Sequence, residues 1–416
     1  MTTPDGVSDS PAVLTARQWQ LAHGRAAVEW MRSSGVAQRL LADICAAVEA
    51  TVDWLIQGDA QRARWVIQQY PRVLTSCDVL QFNDPAQALA YLVLHLPDRY
   101  CRMFQVLEHL LIDGRLPVGR RRGPTAVDGF AAIDIGAGPG PAIFAIRSFY
   151  AALSRYSAEH DPPGLIAALG HATIVERSQA MPYIMHRFAG ALAMVEHGYS
   201  AQGWPAGTGL PHPLADDLAR SAVPHGADHD DFAGLDVREE HNRSRAEAAR
   251  RYDMDEDLTP SEAHWYAYNG SADMPSSYAL AVMMNFLTTT DAIPAFTDAI
   301  ERLMRRSLVP GGTLLVLGGT GGKYRDIYPE LDQRAKAANL QVLPAFEDPL
   351  QAGHRPEELA ALCNLTRSVW NKMQALAGDV TQTKNELRDR DAADIYDPSV
   401  PFRLPRFKVR AYRRGR

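Results

Sequence analysis

Cysteine is scarce in this chain, and its copies are not spaced in pairs. The four cysteines are scattered over 416 residues, at Cys45, Cys77, Cys101 and Cys363, whereas disulfide frameworks and zinc clusters need regular spacing. The chain also lacks an apolar run long enough to cross a bilayer, and residues 1–11 lack the basic and apolar segments of a secretory signal. These absences predict a cytoplasmic protein with reduced thiols and no membrane partner.

Length and apolar spacing predict two structural units. Residues 1–14 are polar, and we expect them to be disordered. Residues 15–118 show no strand-like alternation, and their apolar side chains recur at helical spacing, as in Leu41, Ile44, Ala47, Val48, Val52 and Leu55. We therefore predict an all-helical N-terminal domain at 15–118. An arginine-rich linker would join it to an α/β domain at 124–416.

A glycine-rich turn follows a short apolar strand in the middle of the chain. Residues 131–140 read Ala-Ala-Ile-Asp-Ile-Gly-Ala-Gly-Pro-Gly, and a helix-like segment begins at Pro141. Glycine allows the backbone to turn with positive φ and to approach a ligand closely, and the N-terminus of the next helix offers free N–H groups. This layout predicts a nucleotide-binding strand, turn and helix.

The residues around the turn favour a cationic ligand. A dinucleotide site has its third glycine three residues after the second, where this chain has Pro141. Asp134 precedes the first glycine by two residues, and its carboxylate would repel a pyrophosphate. The segment resembles motif I of the class I S-adenosylmethionine-dependent methyltransferases, whose ligand carries a sulfonium and an ammonium but no phosphate.

Later segments resemble the same family in the same order. Residues 171–176 read as a second strand ending in Glu176, whose carboxylate can accept hydrogen bonds from ribose hydroxyls. Residues 265–268, 278–284, 308–317 and 407–412 resemble the later strands. The resemblance implies a Rossmann-like, doubly wound sheet of seven mostly parallel strands. It also implies S-adenosylmethionine as the cofactor, held by Asp134, Gly136, Ala137, Gly138, Gly140, Glu176, Ser271, Ala272 and Asn285.

Two features depart from the family pattern. Ser271 stands where the family often has an acid, which weakens the expected contact with adenine. Residues 198–259 form an insertion that the basic fold does not need, and we interpret them as a lid or a wall of the substrate site. The cluster of His225, His229 and aspartates within it lacks the spacing of metal ligands, so we predict a solvated loop and no metal.

The acceptor side of the site is less well defined. Asn285 and Phe286 follow the fourth strand, where they would line the acceptor or the methionine part of the cofactor. Asn285 would serve equally well as a helix cap. The catalytic residues stay unassigned, because the methyl group is already activated by the positive sulfur and a general base is needed only for some acceptors.

Three functions fit these patterns. The first is methyl transfer to a small molecule, as in bacterial secondary metabolism, with the 99–104 segment contributing to the wall of the site. The second is RNA methylation, served by Arg120, Arg121 and Arg122 and by a basic C-terminus (Arg403, Arg406, Lys408, Arg410, Arg413, Arg414 and Arg416), although the net charge is −6. The third is a non-catalytic protein that resembles a methyltransferase. The small molecule is favoured, and the helical domain offers an apolar surface for a homodimer.

Overall fold

The structure is a computed structural model. It describes residues 16–76, 80, 82, 84–118, 121–122, 126–127, 130–160, 169–176, 178, 180–196, 266–269, 277–287, 293, 297–320, 324–346 and 350–415. The predictions made for the 1–14 tail, the 198–259 insertion with its histidine cluster, Arg120, Ser271 and Ala272 lie outside these residues.

Four helices form the N-terminal part, as the apolar spacing predicts. They are α1 (Ala16–Ser33), α2 (Val36–Ile56), α3 (Ala60–Ser76) and α4 (Pro85–Ile112). The apolar positions predicted for α2, from Leu41 to Leu55, are all buried. Helix α4 begins after Asp84, whose side chain accepts a hydrogen bond from the Ala86 N–H at 2.8 Å.

The rest of the chain builds a mixed sheet. A small hairpin comes first, formed by β1 (Arg121–Arg122) and β2 (Ala126–Val127). The main sheet has eight strands: β3 (Phe130–Ile135), β4 (Leu169–Glu176), β5 (Tyr266–Asn269), β6 (Tyr278–Met284), β7 (Leu308–Gly319), β8 (Leu340–Val342), β9 (Leu350–Ala352) and β10 (Phe407–Arg414). Their order is β5-β4-β3-β6-β7-β10-β8, and β9 pairs with β10 beside β8.

The prediction of seven mostly parallel strands was wrong in number, because the described sheet has eight strands, but six of these eight run in the same direction. The central strands β4, β3, β6 and β7 pair in parallel, and β8 and β9 run in the same direction as these four because both are antiparallel to β10. Strand β5 pairs antiparallel with β4, and β10 pairs antiparallel with β7, β8 and β9. Strands β8 and β9 have three residues each, which is too short for an alternating pattern to reveal them in the sequence.

Helices cover both faces of this sheet, as expected for a doubly wound fold. They are α5 (Pro141–His160), α6 (Ala180–Glu196), α7 (Thr297–Arg302), α8 (Tyr324–Ala337), α9 (Pro356–Ala377) and α10 (Thr381–Arg388). A π-helical turn, Leu303–Ser307, continues α7 into β7. Side chains alternate along the central strands, so that Leu315 joins the core with α5 and α6 while Leu314 joins the core with α7 and α8.

The N-terminal helices share one core with the α/β unit. Helix α2 packs on α6, and α4 packs on α5. Helix α9, from the C-terminal part of the chain, packs against α2, α3 and α4. One face of the sheet therefore carries a two-deep layer of helices drawn from both ends of the chain, and the boundaries at 118 and 124 stay a prediction. None of the helices in the described part of the chain has the length and apolar character of a membrane span.

Candidate functional site

The predicted strand, turn and helix are present at residues 130–160. Strand β3 ends at Ile135, and all three glycines of the turn have positive φ: 67° at Gly136, 57° at Gly138 and 83° at Gly140. The Gly136 N–H donates to the Val175 carbonyl at 2.8 Å, which ties the turn to the end of β4. The Gly140 carbonyl then accepts the Phe144 N–H at 3.1 Å, so α5 begins directly at the turn.

Two aromatic side chains lie against the glycine turn. A Cβ atom on Gly136 would lie 2.5 Å from Cδ2 of Phe286, so glycine is required there by space as well as by φ. A Cβ atom on Gly138 would lie 3.5 Å from the ring of Tyr91 on α4. The turn is therefore enclosed by the residue after β6 on one side and by the N-terminal helical layer on the other.

Asp134 is a buried carboxylate with no hydrogen-bond donor among the described residues. It is 1% exposed, and both of its carboxylate oxygens lack a partner there. The pKa of Asp134 is raised to about 8, chiefly by burial and also by the nearby charge of Glu176, while the charge of Arg99 acts in the opposite direction. A buried acid without donors is costly, and a cationic ligand group at this point would supply what the fold leaves out.

Glu176 connects the second strand to the glycine turn. Its Oε2 accepts the Gly138 N–H at 2.7 Å, and its Oε1 accepts the Ser178 N–H at 2.8 Å. Each carboxylate oxygen can accept more than one hydrogen bond, so these two contacts do not by themselves prevent Glu176 from accepting from ligand hydroxyls. Glu176 thus fixes the turn, and its role in binding ribose stays a prediction.

One face of α4 contributes side chains that the sequence did not single out as a group. Tyr91, His95 and Arg99 are spaced four residues apart and so lie along one face of the helix. The rings of Tyr91 and His95 have centroids 4.8 Å apart, and the Arg99 guanidinium lies 4.6 Å from the centre of the Tyr91 ring. The available signal was this four-residue spacing of aromatic and polar residues along one helix.

Asn285 joins this helix face to the end of β6. Its backbone lies in the left-handed region at φ 51°, and its N–H donates to the Leu317 carbonyl at 2.8 Å. In the amide orientation that its surroundings favour, the side-chain oxygen accepts hydrogen bonds from Arg99 Nε at 3.0 Å and from Nη2 at 3.2 Å. Asn285 and Arg99 are therefore fixed relative to each other.

The described residues predicted for the site lie at one edge of the sheet, at or just after the carboxyl ends of β3, β4 and β6. They are Asp134, Gly136, Ala137, Gly138, Gly140, Glu176, Asn285 and Phe286. Ser271 and Ala272, predicted on the adenine side, lie outside the described residues. Within the described residues, no group of three acids, histidines or cysteines is arranged to hold a metal.

Several of the basic residues considered for RNA binding have partners within the fold. Arg410 forms an ion pair with Asp332 and donates to the Phe346 carbonyl at 2.9 Å. Arg413 donates to the Gly311 carbonyl at 3.2 Å, and Arg414 donates to the Leu308 carbonyl. These three guanidinium groups stabilise the antiparallel edge of the sheet.

Comparison with known proteins gives little further guidance. No family model and no curated protein matches this chain. A solved structure, phosphoethanolamine N-methyltransferase 2 from Haemonchus contortus in complex with phosphomonomethylethanolamine and S-adenosylhomocysteine, matches at 12% identity with a TM-score of 0.31. The match covers 83% of this chain and 60% of that one, so this chain spans less than two thirds of its length. A TM-score of this size does not establish a shared fold, and the functional assignment depends on the geometry of the site.

Proposed function

We propose that this protein binds S-adenosylmethionine at the edge formed by β3, β4 and β6 and transfers its methyl group to a small-molecule acceptor. The observation that carries the proposal is Asp134, whose buried carboxylate has no donor among the described residues and lies beside a turn of positive-φ glycines. The resemblance of residues 131–140 to motif I of the class I methyltransferases supports the same ligand.

The charges of the site agree with a cation better than with a phosphate. Asp134 and Glu176 are both buried there, and Arg99 is the cation that acts on Asp134 among the residues that the structure describes. Asp134 would bind the ammonium group of the methionine part, and Glu176 would accept from the ribose hydroxyls while it holds the Gly138 N–H. When bound, the cofactor supplies an already activated methyl group. The residues of this chain then have to orient the acceptor and exclude water.

Enclosure of the site favours a small acceptor over RNA. Tyr91 of α4 lies against the glycine turn and is 5% exposed, and Arg99 of the same helix contacts Asn285 and is 7% exposed. A nucleic acid needs an open basic surface, whereas Arg410, Arg413 and Arg414 are engaged within the sheet. The metabolic context and a homodimer remain predictions from the sequence.

Calorimetry and isotope transfer test this function. S-adenosylmethionine and S-adenosylhomocysteine should bind the wild-type protein, and Asp134→Asn should weaken both by about tenfold or more, because a charge-assisted contact is lost. Asp43→Asn changes another partly buried acid, on α2, and should leave binding unchanged. Failure of the folded wild type to bind, or binding of a nicotinamide dinucleotide in the same site, would refute the proposal.

The acceptor class is read from a cell extract incubated with the protein and methyl-labelled S-adenosylmethionine. Label should enter the small-molecule fraction. Label in the RNA fraction would favour the RNA alternative, and binding without any transfer would favour a non-catalytic protein.

A further inference from the structure

We propose that Tyr91 and Asn285 hold the Arg99 guanidinium away from Asp134, so that Arg99 acts as a positioning residue that provides a counter-charge without occupying the carboxylate. This inference rests on the proposed function for the identity of the ligand. The arrangement itself rests on the contacts of the described residues.

Arg99 is anchored on two sides. With the Asn285 amide in the orientation that its surroundings favour, Arg99 Nε and Nη2 donate to its side-chain oxygen at 3.0 and 3.2 Å, and the guanidinium lies 4.6 Å from the centre of the Tyr91 ring. It is 7% exposed and therefore largely removed from water. A buried guanidinium near a carboxylate usually forms a bidentate salt bridge with it. Here the oxygens of Asp134 have no hydrogen-bond partner among the described residues.

The separation of Arg99 from Asp134 favours the binding of a cationic ligand. If the guanidinium closed on Asp134, a ligand ammonium would have to break a buried ion pair before it could bind, and that would be unfavourable. In the observed arrangement the positive charge still offsets part of the repulsion between Asp134 and Glu176. The carboxylate oxygens stay available, and the N-terminal helical layer thereby contributes to cofactor binding.

Two elements bring charge to Asp134. Glu176 faces it from the end of β4, and Arg99 faces it from α4; these are the charged groups that act on Asp134 in the part of the chain that the structure describes. Any change in the position of Arg99 therefore alters the ionisation of Asp134 in a known direction. A closer guanidinium lowers the pKa of Asp134, and a missing one raises it.

The critical experiment is a substitution that removes a contact holding the Arg99 guanidinium in place. Asn285→Gly removes the side chain that anchors Arg99 and keeps a residue that tolerates φ 51°. We expect it to weaken S-adenosylhomocysteine binding by about tenfold, because the freed guanidinium closes on Asp134. In an Arg99→Gln background the same change should have little effect. Tyr91→Leu, which removes the other anchor, should act in the same direction as Asn285→Gly.

Asn339→Gly is the matched control. Asn339 is exposed, follows α8 and has φ 60°, so the same substitution relieves the same backbone conformation away from the site. It should leave binding unchanged. If Asn285→Gly reduces the affinity equally in the wild-type and the Arg99→Gln backgrounds, the proposal is overturned, because Asn285 then acts on the ligand directly.

A measurement on the free protein separates this inference from the proposed function. The Asp134 carboxyl carbon is followed by NMR with ¹³C-labelled aspartate and identified by its loss in Asp134→Asn. The pKa of Asp134 should fall in Asn285→Gly and rise in Arg99→Gln. An unchanged pKa in Asn285→Gly contradicts the inference. If S-adenosylhomocysteine does not bind the wild type, the proposed function fails, and this titration alone decides whether Arg99 is held back.

Discussion

Asp134 should make ligand binding depend on pH. Its pKa is raised to about 8 by burial and by the charge of Glu176, so in the free protein the acid is mostly protonated at neutral pH. A cationic ligand binds the ionised form. Between about pH 5.5 and 7.5, where the ligand ammonium stays protonated, affinity for S-adenosylhomocysteine should therefore rise with pH by up to about tenfold per unit. Calorimetry at several pH values should show this rise in the wild type and a flat profile in Asp134→Asn.

The same residue should cost the free protein stability. A carboxyl whose folded pKa is raised is protonated in both states below its unfolded pKa of about 4, so it then carries no penalty. As the pH rises from about 4 towards about 8, Asp134 ionises in the unfolded chain but stays protonated in the folded one. The free energy of unfolding therefore falls over this range. At pH 8, Asp134→Asn should therefore raise the free energy of unfolding of the ligand-free protein by a few kcal/mol, because the folded pKa of Asp134 lies several units above its unfolded pKa.

Urea unfolding at about pH 5 and pH 8 checks this prediction, since the gain from Asp134→Asn should be larger at the higher pH. A variant that is more stable but binds less well would place Asp134 among the residues kept for function. If Asp134→Asn is no more stable than the wild type at either pH, burial of the Asp134 carboxyl does not destabilise the free protein.

Gly136 should tolerate no side chain. Gly136→Ala places a Cβ atom 2.5 Å from Phe286 and also imposes positive φ on an L-residue. Gly35→Ala is the matched control, because Gly35 has φ +73° and nothing within 4 Å of a built Cβ. The control should cost about 1–2 kcal/mol from backbone strain alone. Gly136→Ala should cost more and should also weaken ligand binding.

A double substitution isolates the contact with Phe286. Adding Phe286→Ala to Gly136→Ala should recover part of the lost free energy of unfolding, because the ring that meets the new Cβ is removed. Equal costs for Gly136→Ala and Gly35→Ala would mean that the ring moves aside freely and that Phe286 does not enclose the turn.

At the scale of elements, helix α4 connects the site to the rest of the helical layer. Its Tyr91 lies against the glycine turn and its Arg99 contacts the Tyr91 ring and Asn285, while its later turns carry buried charges. Glu108, with a side chain 2% exposed, accepts from Arg32 on α1 at 2.6 Å and from Arg355 at the start of α9. This acid therefore holds three helices together near the middle of the layer.

Glu108→Gln should destabilise this junction. The acid accepts charge-assisted hydrogen bonds from two arginines, and the amide leaves at least one guanidinium with a poorer acceptor. Because Arg32 and Arg355 are partly exposed, water compensates in part, and we expect a loss of about 1–3 kcal/mol in urea unfolding. Glu159→Gln breaks a solvent-exposed pair with Arg155 and should cost less than about 1 kcal/mol. Equal losses would show that Glu108 contributes no more than a surface ion pair.

Sequence patterns predicted the parts of this fold whose signal is local. Strand β6 has the predicted bounds, and the glycine turn leads into a helix as expected. Apolar runs and glycines that need positive φ predict these elements directly from the sequence. The antiparallel direction of β5 left no such trace, because the direction of a strand is set by its partner. Likewise, nothing local in α4 shows that Tyr91 lies against the glycine turn or that Arg99 contacts Asn285, the residue that follows β6.

At the scale of the whole molecule, the continuous core bears on how the chain unfolds. Phe104 of α4 meets Phe149 of α5 with ring centroids 5.1 Å apart, and both side chains are buried. Helix α9 then returns to pack on α2, α3 and α4. Removing residues 1–118 would expose one side of α5, α6 and α9 at once, and exposed apolar area of that kind is unfavourable in water. The predicted domain boundary would therefore cut through a core.

The full chain should accordingly unfold in one calorimetric transition, and saturation of the site should move that transition as a whole. S-adenosylhomocysteine at about 100 times its dissociation constant adds about 2.7 kcal/mol to the free energy of unfolding. Because α4 carries Arg99, this gain should reach the helical layer as well as the sheet. A fragment of residues 124–416 should bind a hydrophobic dye and show no cooperative transition, and added residues 1–118 should restore one. Two separate transitions in the full chain, with the ligand raising only one of them, would instead show that the helical layer is an independent domain and that α4 contributes little to the site.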